Sequence, residues 1–81
     1  LLLGLALLLA PAVRGESRWR TEWRAAQAAA AAGRTDEALG RLREVLTARP
    51  DYPRARLVAA RLFAGAGRTD EAVAEIEELL R

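Results

Sequence analysis

Apolar residues recur at helical spacing in two stretches of the chain. Leu39, Leu42, Val45 and Leu46 form one set; Val73, Ile76, Leu79 and Leu80 form the other. Steps of three and four place each set on one face of a helix. An alanine-rich stretch and a glycine precede each set. Alanine is the strongest helix former, and glycine readily takes the left-handed conformation that ends a helix. Helices are therefore predicted over residues 19–32, 36–48, 52–66 and 70–81. Pro50 stops the second, because a proline disfavours helix in the residue before it. Pro53 is tolerated in the first turn of the third.

The two halves of this pattern are copies. Gly33-Arg34-Thr35-Asp36-Glu37-Ala38 returns as Gly67-Arg68-Thr69-Asp70-Glu71-Ala72, a period of 34 residues. Residues 25–39 and 59–73 are identical at ten of 15 positions, which a chance turn motif does not produce. The hexapeptide has a structural purpose. The glycine makes the turn, Thr35 and Thr69 are expected to cap the following helices, and the acids sit where the positive end of the helix dipole favours them. Ser17 and Asp51 are expected to cap the first and third helices in the same way. Trp19, Trp23 and Ala26 follow steps of four and three, so the two indoles are expected to stack along one edge. A helix–turn–helix unit at fixed period is the mark of a repeat array.

With Gly33 and Gly67 at the turn between helices, the chain resembles the tetratricopeptide repeat over about residues 19–81. Ala38 and Ala72 then occupy the family's small position in the second helix, and Ala26 and Ala60 its small position in the first. Pro50 falls on the proline that ends a repeat, and Phe63 on the large aromatic late in the first helix. The family's early tryptophan or leucine falls on Glu22 and Arg56, with Trp23 and Leu57 one residue later, and the counterpart of Phe63 is Ala29. The resemblance implies an all-α fold of antiparallel helix–turn–helix repeats, a fragment of an α-solenoid. Residues 19–52 form a first repeat and residues 53–81 a second. It also implies a protein-binding scaffold that lacks enzymatic activity.

Residues 1–13, LLLGLALLLAPAV, carry no charge and no polar face, and read as an N-terminal apolar helix. Ala10-Pro11-Ala12 places small residues where a signal peptidase reads them. The run is shorter than the roughly 20 residues that span a bilayer. Two readings stand: a cleavable signal peptide or a retained membrane anchor, each with its start missing, since no methionine or basic segment precedes Leu1. A polar linker covers residues 14–18. The first reading makes the protein an exported, periplasmic or envelope scaffold in a bacterium. The second makes it a small membrane-anchored accessory subunit of a larger complex, in membrane contact through residues 1–13.

Composition narrows the chemistry. Cysteine and histidine are both absent, so there is no disulfide, no thiolate metal site and no imidazole base. No nucleophile–base pair remains, and no catalytic residue, metal or cofactor is expected. Glu71, Glu75 and Glu78 share one helix face, which reads as a solvated surface. A net charge of +2, with arginines dispersed over several helices, argues against nucleic acid.

Charge is nevertheless segregated. Between Pro53 and Thr69 there are four arginines and no acid; between Asp70 and Leu80 there are five acids and no base. Neutralisation between neighbouring helices explains part of this. The family resemblance implies a use for the rest. First helices of such arrays line a groove, and the groove positions here are Arg20, Trp23 and Gln27, then Arg54, Leu57 and Arg61. Arginine forks match carboxylates. The implied partner is a peptide or helix with an acidic element. The apolar face of the last helix is expected to be covered by further repeats or a partner chain.

Overall fold

The computed structural model describes residues 18–81. Helix α1 covers residues 18–31, followed by α2 (Thr35–Ala48), α3 (Pro53–Gly65) and α4 (Thr69–Leu79). Among the described residues there is no strand, and the chain is an all-α helical repeat fragment, as its periodicity predicts. The apolar run 1–13, the linker to residue 17 and the Ser17 cap lie outside the described residues. No described helix is long and apolar enough to cross a membrane.

The repeated hexapeptide makes the same turn twice. Gly33 and Gly67 both have φ +78°, the left-handed region where a side chain is strained. In the first copy, Arg34 N–H donates to Ala29 O at 2.9 Å and Gly33 N–H to Ala30 O at 3.1 Å. In the second, Arg68 N–H donates to Phe63 O at 2.8 Å and Gly67 N–H to Ala64 O at 3.1 Å. These bonds satisfy carbonyls that a helix end otherwise leaves open.

The threonines do not cap. Arg34 and Arg68 occupy the cap positions, without a side-chain cap bond, and Thr35 and Thr69 are the first helical residues. The arginine carbonyls accept the first helical bonds, from Ala38 at 2.9 Å and Ala72 at 3.1 Å. Their guanidiniums reach forward one turn instead. Arg34 Nε meets Glu37 at 3.3 Å, and Arg68 grips Glu71 with two bonds of 2.7 Å. That hydrogen-bonded pairing raises the Arg68 pKa above its ordinary value. Asp51 does not cap either: Tyr52 takes that position, again without a side-chain bond, with Pro53 opening α3. The helix begins one residue after Asp51 could serve it.

Alanine dominates the buried set. Among the described residues Ala26, Ala29, Ala38, Ala55, Ala59, Ala60 and Ala72 are buried, and only Leu42 and Val45 are larger buried side chains. Small residues at facing positions let helix backbones approach closely. Leu42 and Val45 of α2 pack in one cluster with Ala26 of α1 and Ala55 and Ala59 of α3. Thus α1, α2 and α3 share one core cluster, and α3 packs in turn on α4.

The tryptophans do not stack on each other. Each presents to the Tyr52 ring at a centroid distance of 5.3 Å, with interplanar angles of 67° for Trp19 and 83° for Trp23. Edge-to-face geometry matches the positive edge of one ring to the negative face of the other. Tyr52, in the α2–α3 connection, therefore ties α1 to the start of the second repeat. Arg20 and Arg49 approach the Trp19 ring at 5.2 and 4.9 Å.

Candidate peptide-binding face

Steps of three and four place Arg20, Trp23 and Gln27 on one face of α1, and Arg54, Leu57 and Arg61 on one face of α3. Arg20 and Gln27 are exposed, and Trp23 is half-buried against Tyr52. Arg54 and Arg61 are exposed. Leu57, between them, leaves 40 % of its surface open, one of four exposed large apolar residues among the described residues, with Val73, Ile76 and Leu80. The two trios are held by separate helices. The link between them is Tyr52, the ring partner of Trp23 and the residue before α3.

The four arginines from Pro53 to Thr69 divide into two classes. Arg56 is tied down: Nη1 meets Glu75 at 3.3 Å and Nη2 donates to Pro50 O at 3.0 Å. Arg68 is held by Glu71 and lies 4.8 Å over the Phe63 ring. Arg54 and Arg61 have no ion-pair partner among the described residues. So neutralisation consumes half of the basic charge, and the unpaired half flanks Leu57. The acids of α4 divide similarly. Glu71, Glu75 and Glu78 are paired with Arg68, Arg56 and Arg81. Glu71 and Glu78 remain exposed while paired, as a solvated face predicts, and only Glu75 is drawn in, by Arg56.

The structure also shows pairs that local sequence spacing does not reveal. Glu22 of α1 accepts from Arg41 of α2 at 3.0 Å, across 19 residues. Arg56 and Glu75 repeat that separation of 19 with the charges exchanged. Glu22 and Arg56 stand at the two first-helix positions that depart from the family's early tryptophan or leucine, and each forms an ion pair with the second helix of its repeat. A comparison of residues 34 apart shows the exchange, 22 with 56 and 41 with 75.

A further groove of about 280 Å³ runs between α2, α3 and α4. Leu39, Leu46 and Phe63 give it an apolar floor, and Arg43 and Glu75 line it from α2 and α4. None of the six predicted site residues lines it.

Helix pairs of one period, each turned by a left-handed glycine and packed on alanines, define an α-helical repeat module. A sequence model of the tetratricopeptide repeat matches residues 29–81. The chain belongs to the tetratricopeptide repeat family. No curated protein and no solved structure is significantly similar to it.

Proposed function

We propose that this protein is an exported scaffold that binds a peptide or partner helix carrying an acidic element, on the face formed by α1 and α3. The family supports protein–protein interaction as the general role. The observation that carries the finer reading is on α3. Arg54 and Arg61, unpaired among the described residues, stand one turn to either side of a leucine that is 40 % exposed. An apolar anchor between two guanidiniums fits an apolar side chain flanked by carboxylates. Arginine supplies the bidentate geometry and Leu57 the desolvated contact. Arg20, Trp23 and Gln27 extend the same surface chemistry along α1.

The export reading is supported by the uncharged run 1–13 and the small residues at Ala10 and Ala12. It is tested by the N-terminus of the mature product: a start at Val13 supports it, and an intact Leu1 segment favours an anchored subunit. Binding is tested by affinity capture from envelope extracts with the wild type and with Arg54→Ala combined with Arg61→Ala. Loss of the captured partner, with unchanged helicity, supports the proposal. Unchanged capture contradicts it.

A further inference from the structure

The groove between α2, α3 and α4 lies apart from the peptide face and has a polarity of its own. Its lining runs from Leu39 to Glu75, and the exposed apolar residues of α4 (Val73, Ile76 and Leu80) do not contribute to it. Leu39, Leu46 and Phe63 are half-buried, so each keeps apolar surface open along its floor. A short connection joins α2 to α3, which brings the end of α2 beside the start of α3. Leu46 and Thr47 therefore stand near Arg56 at one end, and Leu39 stands near Phe63 at the other. Leu39 and Leu46 are seven residues apart in α2, about 10 Å along a helix.

The charged residues gather towards the first end, and one of them is unsatisfied. Arg43 is exposed and has no ion-pair partner among the described residues. Leu39, Gly40, Leu46 and Thr47 are the residues one turn from it on α2, and none is an acid. The acid that lines the groove from α4 is Glu75, and Arg56 already holds it at 3.3 Å. Arg43 and Arg56 against Glu75 leave one net positive charge at one end of an apolar trough.

That layout selects an occupant. A floor of three side chains is far smaller than the roughly 20–30 residues a side of a stable protein contact. A volume of about 280 Å³ instead stands at the small end of ligand sites, which run from roughly 300 to 1,000 Å³. The trough fits one short apolar chain. The free guanidinium fits a carboxylate at its head, because arginine grips a carboxylate with two parallel bonds. A cationic head would meet like charge there.

We propose that this groove is a second binding site, for a short aliphatic monocarboxylate, with the carboxylate on Arg43 and the chain lying along Leu46 and Leu39 towards Phe63. The site is independent of peptide binding at Arg54, Leu57 and Arg61, none of which lines the groove.

Titration of the ¹⁵N-labelled full chain with sodium octanoate tests this, with octylammonium and octanol as controls of equal chain length. Octanoate is expected to give saturable amide shifts at Leu39, Arg43, Leu46 and Phe63. Arg43→Gln is expected to weaken octanoate about threefold to tenfold and to leave octanol unchanged. Arg43 makes no ion pair to lose, and circular dichroism checks that the variant keeps its helices. Arg54→Ala with Arg61→Ala is expected to leave octanoate affinity unchanged, which separates this site from the peptide face; a weakened affinity there overturns the proposal. So does the absence of saturable shifts, or octylammonium binding as tightly as octanoate. An affinity that ignores Arg43→Gln overturns it too, as do shifts centred on Trp23 and Leu57 or confined to residues 1–13.

Discussion

Arg56 Nη1 lies 3.3 Å from Glu75 Oε2, joining the first helix of the second repeat to its second helix. In the first repeat the same two positions hold Glu22 and Arg41 at 3.0 Å, so the bond is kept while its signs are exchanged. The Arg56 and Glu75 side chains are only 20 and 19 % exposed, which removes much of the solvent screening that makes surface pairs weak. Arg56→Ala leaves a half-buried carboxylate without its partner and Pro50 O without its donor. It should cost about 1–2 kcal/mol in urea unfolding. The swap Arg56→Glu with Glu75→Arg should recover most of the Coulombic part, though not the bond to Pro50.

The two turn glycines should respond alike. A Cβ built on Gly33 or Gly67 meets nothing within 4 Å, so the cost of alanine there is purely one of backbone conformation. At φ +78° that cost is about 1–2 kcal/mol per site. The sites lie in separate turns, so the double variant should show nearly the sum. Gly40 is helical and equally open, and Gly40→Ala should stabilise by about 0.5–1 kcal/mol. Thermal melts of the three single variants check both signs.

Equivalent residues of the two repeats should differ sharply. Leu42 is 1 % exposed and Ile76, its counterpart, 39 %. Leu42→Ala removes a core side chain and should cost about 2–5 kcal/mol. That is a large share of the stability of so short a chain. Ile76→Ala should cost well under half as much. Denaturant midpoints of the two variants, compared at equal m-value, decide it.

Much of this architecture is legible in the residues themselves. The apolar steps of three and four give the helices, and the hexapeptide gives the turn, because both are local properties of the backbone. The capping assignment failed on a local detail. Thr35 suits a cap chemically, but the Arg34 carbonyl already closes the first turn one residue earlier. The pairs Glu22–Arg41 and Arg56–Glu75 span 19 residues, beyond the reach of any helical periodicity. The candidate face was legible only through the family's pattern. Which arginines of α3 are consumed by α4 depends on how two helices meet, and only the structure separates Arg56 from Arg54 and Arg61. Likewise, two tryptophans at helical spacing point to each other on paper, whereas a tyrosine from the next connection receives both.

Tyr52 should report on that junction. It is the shared ring partner of Trp19 and Trp23. Each aromatic pair is worth about 0.5–1.5 kcal/mol beyond the area it buries. Tyr52→Ala should therefore cost about 2–3 kcal/mol and shift tryptophan emission to the red as both indoles gain water. Tyr52→Phe keeps the ring and should leave the emission near that of the wild type.

A chemical-shift map locates the peptide-binding face on α1 and α3. The full chain, labelled with ¹⁵N, is titrated with a helical peptide that carries one large apolar residue between acidic residues. Saturable shifts are expected at Arg54, Leu57 and Arg61, extending to Arg20, Trp23 and Gln27 and weakening with salt. Shifts confined to the groove of Leu39, Leu46 and Phe63, or an equal response to a peptide with its acids replaced by lysine, would contradict that assignment.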